Sequence, residues 1–312
     1  MVKCAVSGTD ESRFRQGEHS SQLSRASTTD RRCIKALGKR ASAILRRYYL
    51  GPDFPMKMRL WGWLRKWGNY PRLTVRYAAA GWITVDERDL LQREILVNGF
   101  YEPEVWEALS SLADSEEVFW DVGAHIGTFS VRALLDPRVR VVHAFEPDPL
   151  SAEILEFNLR LNDPSQSRWA LHRIALSDRR ERRRLYSGPD SNTGLSSLVP
   201  RPNGLVFEVS CLSADELVFL QGIDSPTLMK IDVESWEGAV IRGAQRLLAE
   251  KPPKAIVLEA GYREPGHVSD PSLARYLESW GYTIRHVRRP SGIVEERENF
   301  VAVHETWAKR DI

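Results

Sequence analysis

The chain has 312 residues, 42% of them hydrophobic and 28% charged, with a net charge of +2. That length holds one large α/β domain with extensions or two modest domains, and the near-neutral balance gives no reason to expect nucleic acid or an acidic partner. Three widely spaced cysteines without a CxxC exclude a zinc ribbon or a redox dithiol, and no apolar run is long enough for a spanning helix. The sparse, odd cysteine set fits a reducing compartment, so the expected location is the cytosol.

Residues 1–30 are rich in Ser, Thr, Arg and Glu without an apolar period, which predicts disorder. Met1–Leu50 carries 11 Lys and Arg against 4 Asp and Glu. Ile34, Leu37, Ala41, Ile44, Leu45 and Tyr48 fall on one face of a basic amphipathic helix over residues 34–50. Trp61, Trp63 and Trp67 follow among basic residues. This tract could make peripheral contact with anionic lipid; packing of its aromatics on the main domain is the preferred reading. The extension over residues 1–70 precedes a hairpin and helical lead-in (71–112) and a main domain (113–312).

"LTVRYAAAGWITV" alternates and turns around Gly81, as a hairpin does. "DERDLLQREILVNGFYEPEVWEALSSL" reads as helical, interrupted near Asn98–Gly99 and restarted after Pro103. Strands and helices then alternate. The strands expected are 118–122, 139–145, 170–175, 228–233 and 255–259. The helices expected are 128–135, 150–161, 237–249 and 271–280. "TIRHVRR" and "NFVAVH" close the sheet as a terminal pair. Repeated βα units imply an α/β fold, a mostly parallel twisted sheet with helices on both faces. The Gly/Pro/Ser stretch from Tyr186 to Gly204 reads as a long loop shaping an acceptor pocket.

"FWDVGAHIGTFS" places Asp121, Gly123 and Gly127 where the first parallel strand turns into a helix, the position at which open α/β sheets bind ligands. The third glycine of a dinucleotide fingerprint is absent, and Asp121 would repel a diphosphate. Glu146 ends the second strand, where an acid can accept both hydroxyls of a ribose. A ribose without phosphate but with cationic ends describes S-adenosyl-L-methionine.

Five ordered blocks extend this reading: "FWDVGAHIGTFSVRAL", "VVHAFEPDPLSAEILEFNLRLN", "IALSD", "LMKIDVESWEGAVIRGAQRLL" and "AIVLEA". Together they resemble the FkbM-type methyltransferases, a class I, Rossmann-like, S-adenosylmethionine-dependent family, over roughly residues 73–305. The resemblance implies methylation of a hydroxyl on a small molecule, sugar or glycan. It also implies that Asp121, Gly123, His125, Gly127 and Glu146 belong to the cofactor site, with Ser177 and Asp178 near the adenine. Two positions depart from the family pattern. His125 stands in place of an asparagine and is read as a turn residue with one hydrogen bond. Ser235 replaces a glycine and is expected to cap the following helix.

Strand alternation in "LMKIDVE" puts Lys230, Asp232 and Glu234 on one face, opposite Met229, Ile231 and Val233. Glu259 ends the neighbouring strand. These four polar residues are candidate proton acceptors or substrate orienters; a plain Lys230–Asp232 ion pair is the simpler alternative. The same acids could hold a hard divalent ion that acidifies the hydroxyl. The rival functions are an NAD(P)-dependent oxidoreductase on a similar fold and a non-catalytic binding module.

Overall fold

The computed structural model describes residues 72–78, 80–86, 89–188, 193–200, 205–261, 271–288 and 297–308. The basic amphipathic helix and the tryptophan tract lie outside them. The expected hairpin is β1 (Leu73–Tyr77) paired antiparallel with β2 (Gly81–Val85). Asp89 caps α1 (Leu90–Asn98) by accepting from Gln92 N–H, and Gly99 ends it in the left-handed region at φ 76°, a conformation glycine adopts without a Cβ penalty. The helix α2 (Pro103–Ser110) restarts at the proline, as expected.

The main body follows as β3 (Glu117–Val122), α3 (Thr128–Leu135), β4 (Val139–Phe145), α4 (Pro149–Asn162), β5 (Trp169–His172), β6 (Ala175–Leu176), β7 (Glu181–Tyr186) and β8 (Val206–Leu212). It continues with α5 (Ala214–Phe219), β9 (Leu228–Ile231), α6 (Glu237–Arg242), α7 (Gln245–Glu250), β10 (Ala255–Gly261), α8 (Pro271–Ser279), β11 (Tyr282–His286), β12 (Arg297–His304) and α9 (Glu305–Ala308). Seven strands form one sheet in the order β11-β12-β10-β9-β3-β4-β5. The pairs from β10 through β9, β3 and β4 to β5 are parallel, whereas β12 runs antiparallel to both β10 and β11. The strand order reverses between β3 and β9, which opens a crevice at their carboxyl ends.

Both faces are covered. Trp120, Phe145, Met229 and Leu258 pack against Leu217, Val240, Leu247 and Leu277 from α5 to α8. Phe119, Val142, Leu228 and Val257 pack against Leu109, Phe129, Leu155 and Leu159 from α2, α3 and α4. Central parallel strands buried on both sides read as apolar runs; β10 opens with one, and β3 and β4 are apolar apart from Glu117 and Asp121 in the first and Arg140 and His143 in the second. The hairpin is bound to α4 through its backbone: Trp82 and Thr84 N–H donate to the side-chain oxygens of Asn162 (2.9 Å) and Asn158 (2.7 Å).

Three expectations are corrected. The strand expected over 170–175 is two pieces: β5 stays in the main sheet and β6 joins a separate sheet, β6-β8-β7. The helix expected over 237–249 breaks at Gly243–Ala244. There Asp215 of α5 accepts from Arg246 and Leu247 N–H at 2.9 and 2.8 Å and so caps α7 as a new helix. Within the stretch expected to be a long loop, Thr193–Leu195 forms a 3-10 turn and Ser197 bridges to Tyr186. Among the described residues, no helix is long and apolar enough to cross a membrane.

Candidate functional site

The glycine turn is shaped by protein contacts. Gly123 sits at φ 81°, and a Cβ there would fall 1.7 Å from the Asp232 carbonyl oxygen, just beyond β9. Gly127, at φ 90°, leaves room for Leu155 of α4, whose Cδ1 would lie 2.5 Å from an added Cβ. The N–H groups of Gly123 and Ala124 both donate to the Phe145 carbonyl at 3.0 Å, and that of Gly127 to the Ala124 carbonyl at 2.8 Å. His125 N–H donates to Glu146 Oε2 at 2.7 Å. A phosphate-binding nest needs such amides free; here they are spent inside the protein.

Two buried acids flank the turn. Asp121 is the last residue but one of β3, with 1% of its surface exposed. Its Oδ2 accepts from Ser130 Oγ at 2.6 Å, while its Oδ1 is buried without a hydrogen-bond partner among the described residues. Burial raises its pKa, opposed by the Lys230 ammonium and the Ser130 bond. Glu146 follows β4, and its Oε1 accepts from Asp148 N–H at 2.8 Å. Burial pushes Glu146 up to about 8 against the pull of the Asp148 and His125 amides. Each of its oxygens keeps a further lone pair.

These acids line a cavity of about 610 Å³ at the switch point, within the range of small-molecule sites. His125, Lys230, Asp232, Glu234 and Glu259 share it. Gly123 lines it as well, whereas Gly127 stands behind the turn against α4. Ile174, Ala175 and Leu176 form its far wall, but Ser177 and Asp178 do not. Ser177 is fully buried behind that wall. Its N–H donates to the Leu212 carbonyl and its Oγ accepts from Trp236 Nε1. Its carbonyl packs so closely on Gly243 that a Cβ there would sit 1.9 Å away.

Lys230 and Asp232 form an ion pair at 2.9 Å, with the lysine side chain 4% exposed. Asp121 is the cross-strand neighbour of Lys230, and the Phe129 ring lies 4.6 Å from its Nζ. Burial alone would depress the ammonium; Asp232, Asp121 and Glu102 outweigh it and hold Lys230 protonated well above ordinary lysine pH values. Asp232, Glu234 and Glu259 converge, with carboxylate oxygens within 4.8 Å of one another. Close carboxylates of this kind suit a cation in general, but Asp232 already spends an oxygen on Lys230. Glu234 and Ser235 have φ of 52° and 76°. Ser235 therefore does not cap α6: Trp236 occupies that place without a side-chain bond.

His125 has φ 50° and makes two hydrogen bonds, one more than expected: its backbone to Glu146 and its Nε2 to Thr193 Oγ1 at 2.8 Å. Thr193 in turn donates from both its N–H and its hydroxyl to Asp89 Oδ2 at 2.7 Å. Ser187 and Ser196 hydroxyls donate to Asp148 Oδ2, and Ser197 Oγ donates to the Glu234 carbonyl. Thus the segment 193–198 is strapped across the cavity at three points. Sequence reasoning missed Asp89, Asp148 and Thr193. Asp89 and Asp148 cap helices in the structure, and nothing local signals that a second oxygen of each holds the segment 187–197.

Residues 121–284 match the family model described as the methyltransferase FkbM domain. Over 170 residues the chain is 28% identical to the hexuronic acid methyltransferase AglP of Haloferax volcanii, covering 51% of this chain and 63% of that relative. The match thus spans less than two thirds of the relative's length. Among solved structures, the chain is similar to the methyltransferase FkbM of Methylobacillus flagellatus KT at 18% identity and a TM-score of 0.44, covering 80% of this chain and 72% of that one. It is also similar to M. jannaschii TYW2 in complex with AdoMet at 13% identity and a TM-score of 0.38, covering 75% and 85%.

Proposed function

The chain belongs to the FkbM methyltransferase family, and from that premise we propose that it transfers the methyl group of S-adenosylmethionine to a hydroxyl of a small molecule or glycan. One observation carries the cofactor reading: the Gly123, Ala124, His125 and Gly127 amides of the turn are bonded within the protein, and two buried acids flank it, one with an oxygen that has no partner among the described residues. That environment is wrong for a diphosphate and right for a ligand with hydroxyl donors and a cationic end. This disfavours the oxidoreductase reading.

In this reading Glu146 accepts the ribose hydroxyls with its remaining lone pairs, and Asp121 Oδ1 receives the cationic amino-acid end. The cofactor supplies a methyl group activated by its sulfonium. Lys230, held as an ammonium, cannot accept a proton; it orients Asp232 and offers donors to the acceptor. Glu234 and Glu259 line the acceptor side and bind hydroxyls. The strap over residues 193–198 excludes water from the reacting centre. The hexuronic acid named for the Haloferax relative makes sugars the first acceptors to try.

The test is titration of S-adenosylmethionine into wild-type and Glu146→Ala protein by calorimetry. Wild type should bind, and the variant should bind about 10- to 100-fold more weakly, the loss of one or two charge-assisted bonds. Equal affinities, or no binding to wild type, would remove the assignment. Binding without turnover on any acceptor would favour a non-catalytic module.

A further inference from the structure

We propose that His125 is the proton acceptor for the methyl-accepting hydroxyl, acting through its Nδ1. The proposal rests on the methyl-transfer reading above and adds the residue that removes the proton.

A hydroxyl has one proton to give. Thr193 gives its proton to Asp89 Oδ2 at 2.7 Å, because a carboxylate can only accept. Toward His125 the same Thr193 oxygen must therefore accept, so His125 Nε2 carries the hydrogen of that 2.8 Å bond. Gln92 Nε2, at 3.2 Å, takes the remaining lone pair. With Nε2 protonated, the neutral ring bears its lone pair on Nδ1. Among the described residues Nδ1 has no hydrogen-bond partner, and it is not one of the polar atoms sealed from water. His125 lines the cavity together with Lys230, Asp232, Glu234 and Glu259.

The charges around the ring act on both sides. Burial lowers the imidazole pKa; Asp89, Asp148 and Asp232 oppose this, and Lys230 adds to it. Glu146 touches the backbone of the same residue. The ring is therefore neutral near neutral pH, as a base must be before it reacts. Among the other candidates, Lys230 is already protonated and Asp232 is tied to it. In the transfer step the acceptor oxygen bonds to the methyl carbon and the electron pair of the carbon–sulfur bond returns to sulfur. The hydroxyl proton passes to Nδ1, giving an imidazolium faced by three acids. Asp89 and Thr193 are positioning residues: they fix which nitrogen is bare.

Nitrogen NMR of protein labelled in histidine tests the tautomer without any acceptor. The Nε2–H form with bare Nδ1 is expected near neutral pH; an Nδ1–H form or a persistent imidazolium overturns the proposal. The His125→Gln variant places an amide nitrogen where Nε2 stands and can still donate to Thr193, but has no base. With methyl glucoside and glucuronic acid as acceptor probes, kcat of this variant should fall about 100-fold. S-adenosylmethionine affinity should stay within about twofold, and the acid limb of the pH profile should vanish. A variant that turns over at the wild-type rate sinks the role of His125 and leaves the methyl-transfer reading standing. Failure of wild type to bind S-adenosylmethionine strikes the methyl-transfer reading instead. If neither probe turns over, the tautomer alone decides.

Discussion

The two ends of the central strands use the same ingredients to opposite effect. At the amino end, Lys254 lies 2.6 Å from Glu117 and 2.9 Å from Asp114. Glu117 also accepts from Asp114 N–H and from the Thr227 hydroxyl, so both of its oxygens are used. At the carboxyl end, Lys230 pairs with Asp232 beside Asp121, whose Oδ1 has no partner. Three further carboxylates, from Glu146, Glu234 and Glu259, open on the same cavity. A closed network stabilises one conformation; an open one leaves unmet demand that a ligand can satisfy. Burial of charge is therefore not the mark of the site. Incomplete satisfaction is.

The sharpest way to break the comparison is Lys254→Met. It strands Glu117 without its cation and should cost about 3–5 kcal/mol in urea unfolding, the usual penalty for halving a buried pair. Binding of S-adenosylmethionine at the far end should be unchanged; a parallel loss of affinity would mean that the two ends are coupled.

The pH dependence comes next. Glu146 has its pKa raised from 4.5 to about 8, so the folded chain holds a proton there that the unfolded chain has lost. Its contribution to stability is full below the unfolded value and disappears as pH rises through about 8. In the proposed reading cofactor binding needs the ionised form and so runs the other way, tightening by up to about tenfold per pH unit below that value. Calorimetry across this window should record proton release on binding, and Glu146→Gln should erase the trend.

Asp121→Asn should then separate stability from binding. Removing a buried, half-satisfied carboxylate should raise the stability of the ligand-free protein by about 1 kcal/mol, while affinity for S-adenosylmethionine falls by about tenfold. If both quantities fall, Asp121 is a structural acid like Glu117. The smallest effect is expected at Ser235, a left-handed residue where glycine carries no steric penalty. Ser235→Gly should stabilise the fold by about 1 kcal/mol, read as a rise in thermal midpoint.

Legibility in the sequence followed burial. The strands β3, β4 and β10 were readable because both their faces are apolar and the turns after them carry glycine or acid. The helices α3 and α4 were readable in their extent, at 128–135 and 150–161. In contrast, β7 hides its inward residues among Arg182, Arg183 and Arg184, whose charges lie outward or half-buried, so its alternation does not register as hydrophobic. The break before α7 depends on Asp215, some thirty positions upstream, a tertiary contact with no local trace. Within the site, Asp121 and Glu146 were visible because strand-end acids beside a glycine turn have few other uses. The role of Gly123 was seen only in part: the close approach it permits is by the chain at Asp232. The tether from Asp89 through Thr193 to His125 joins residues roughly 70 to 100 positions apart in sequence and belongs to topology alone.

The place of β12 has a consequence for the order of assembly. Among the described residues it is the last strand in sequence, yet it lies between β10 and β11, and His304 N–H reaches back to the Lys254 carbonyl. During synthesis β11 emerges before the strand that joins it to the sheet, and β10 waits for its partner on that edge. The nascent chain must keep these edges from pairing elsewhere until residue 304 has left the ribosome. An interruption of translation shortly before β12 would therefore release a species with all of the cavity's lining residues and an adhesive sheet edge, a substrate for chaperones.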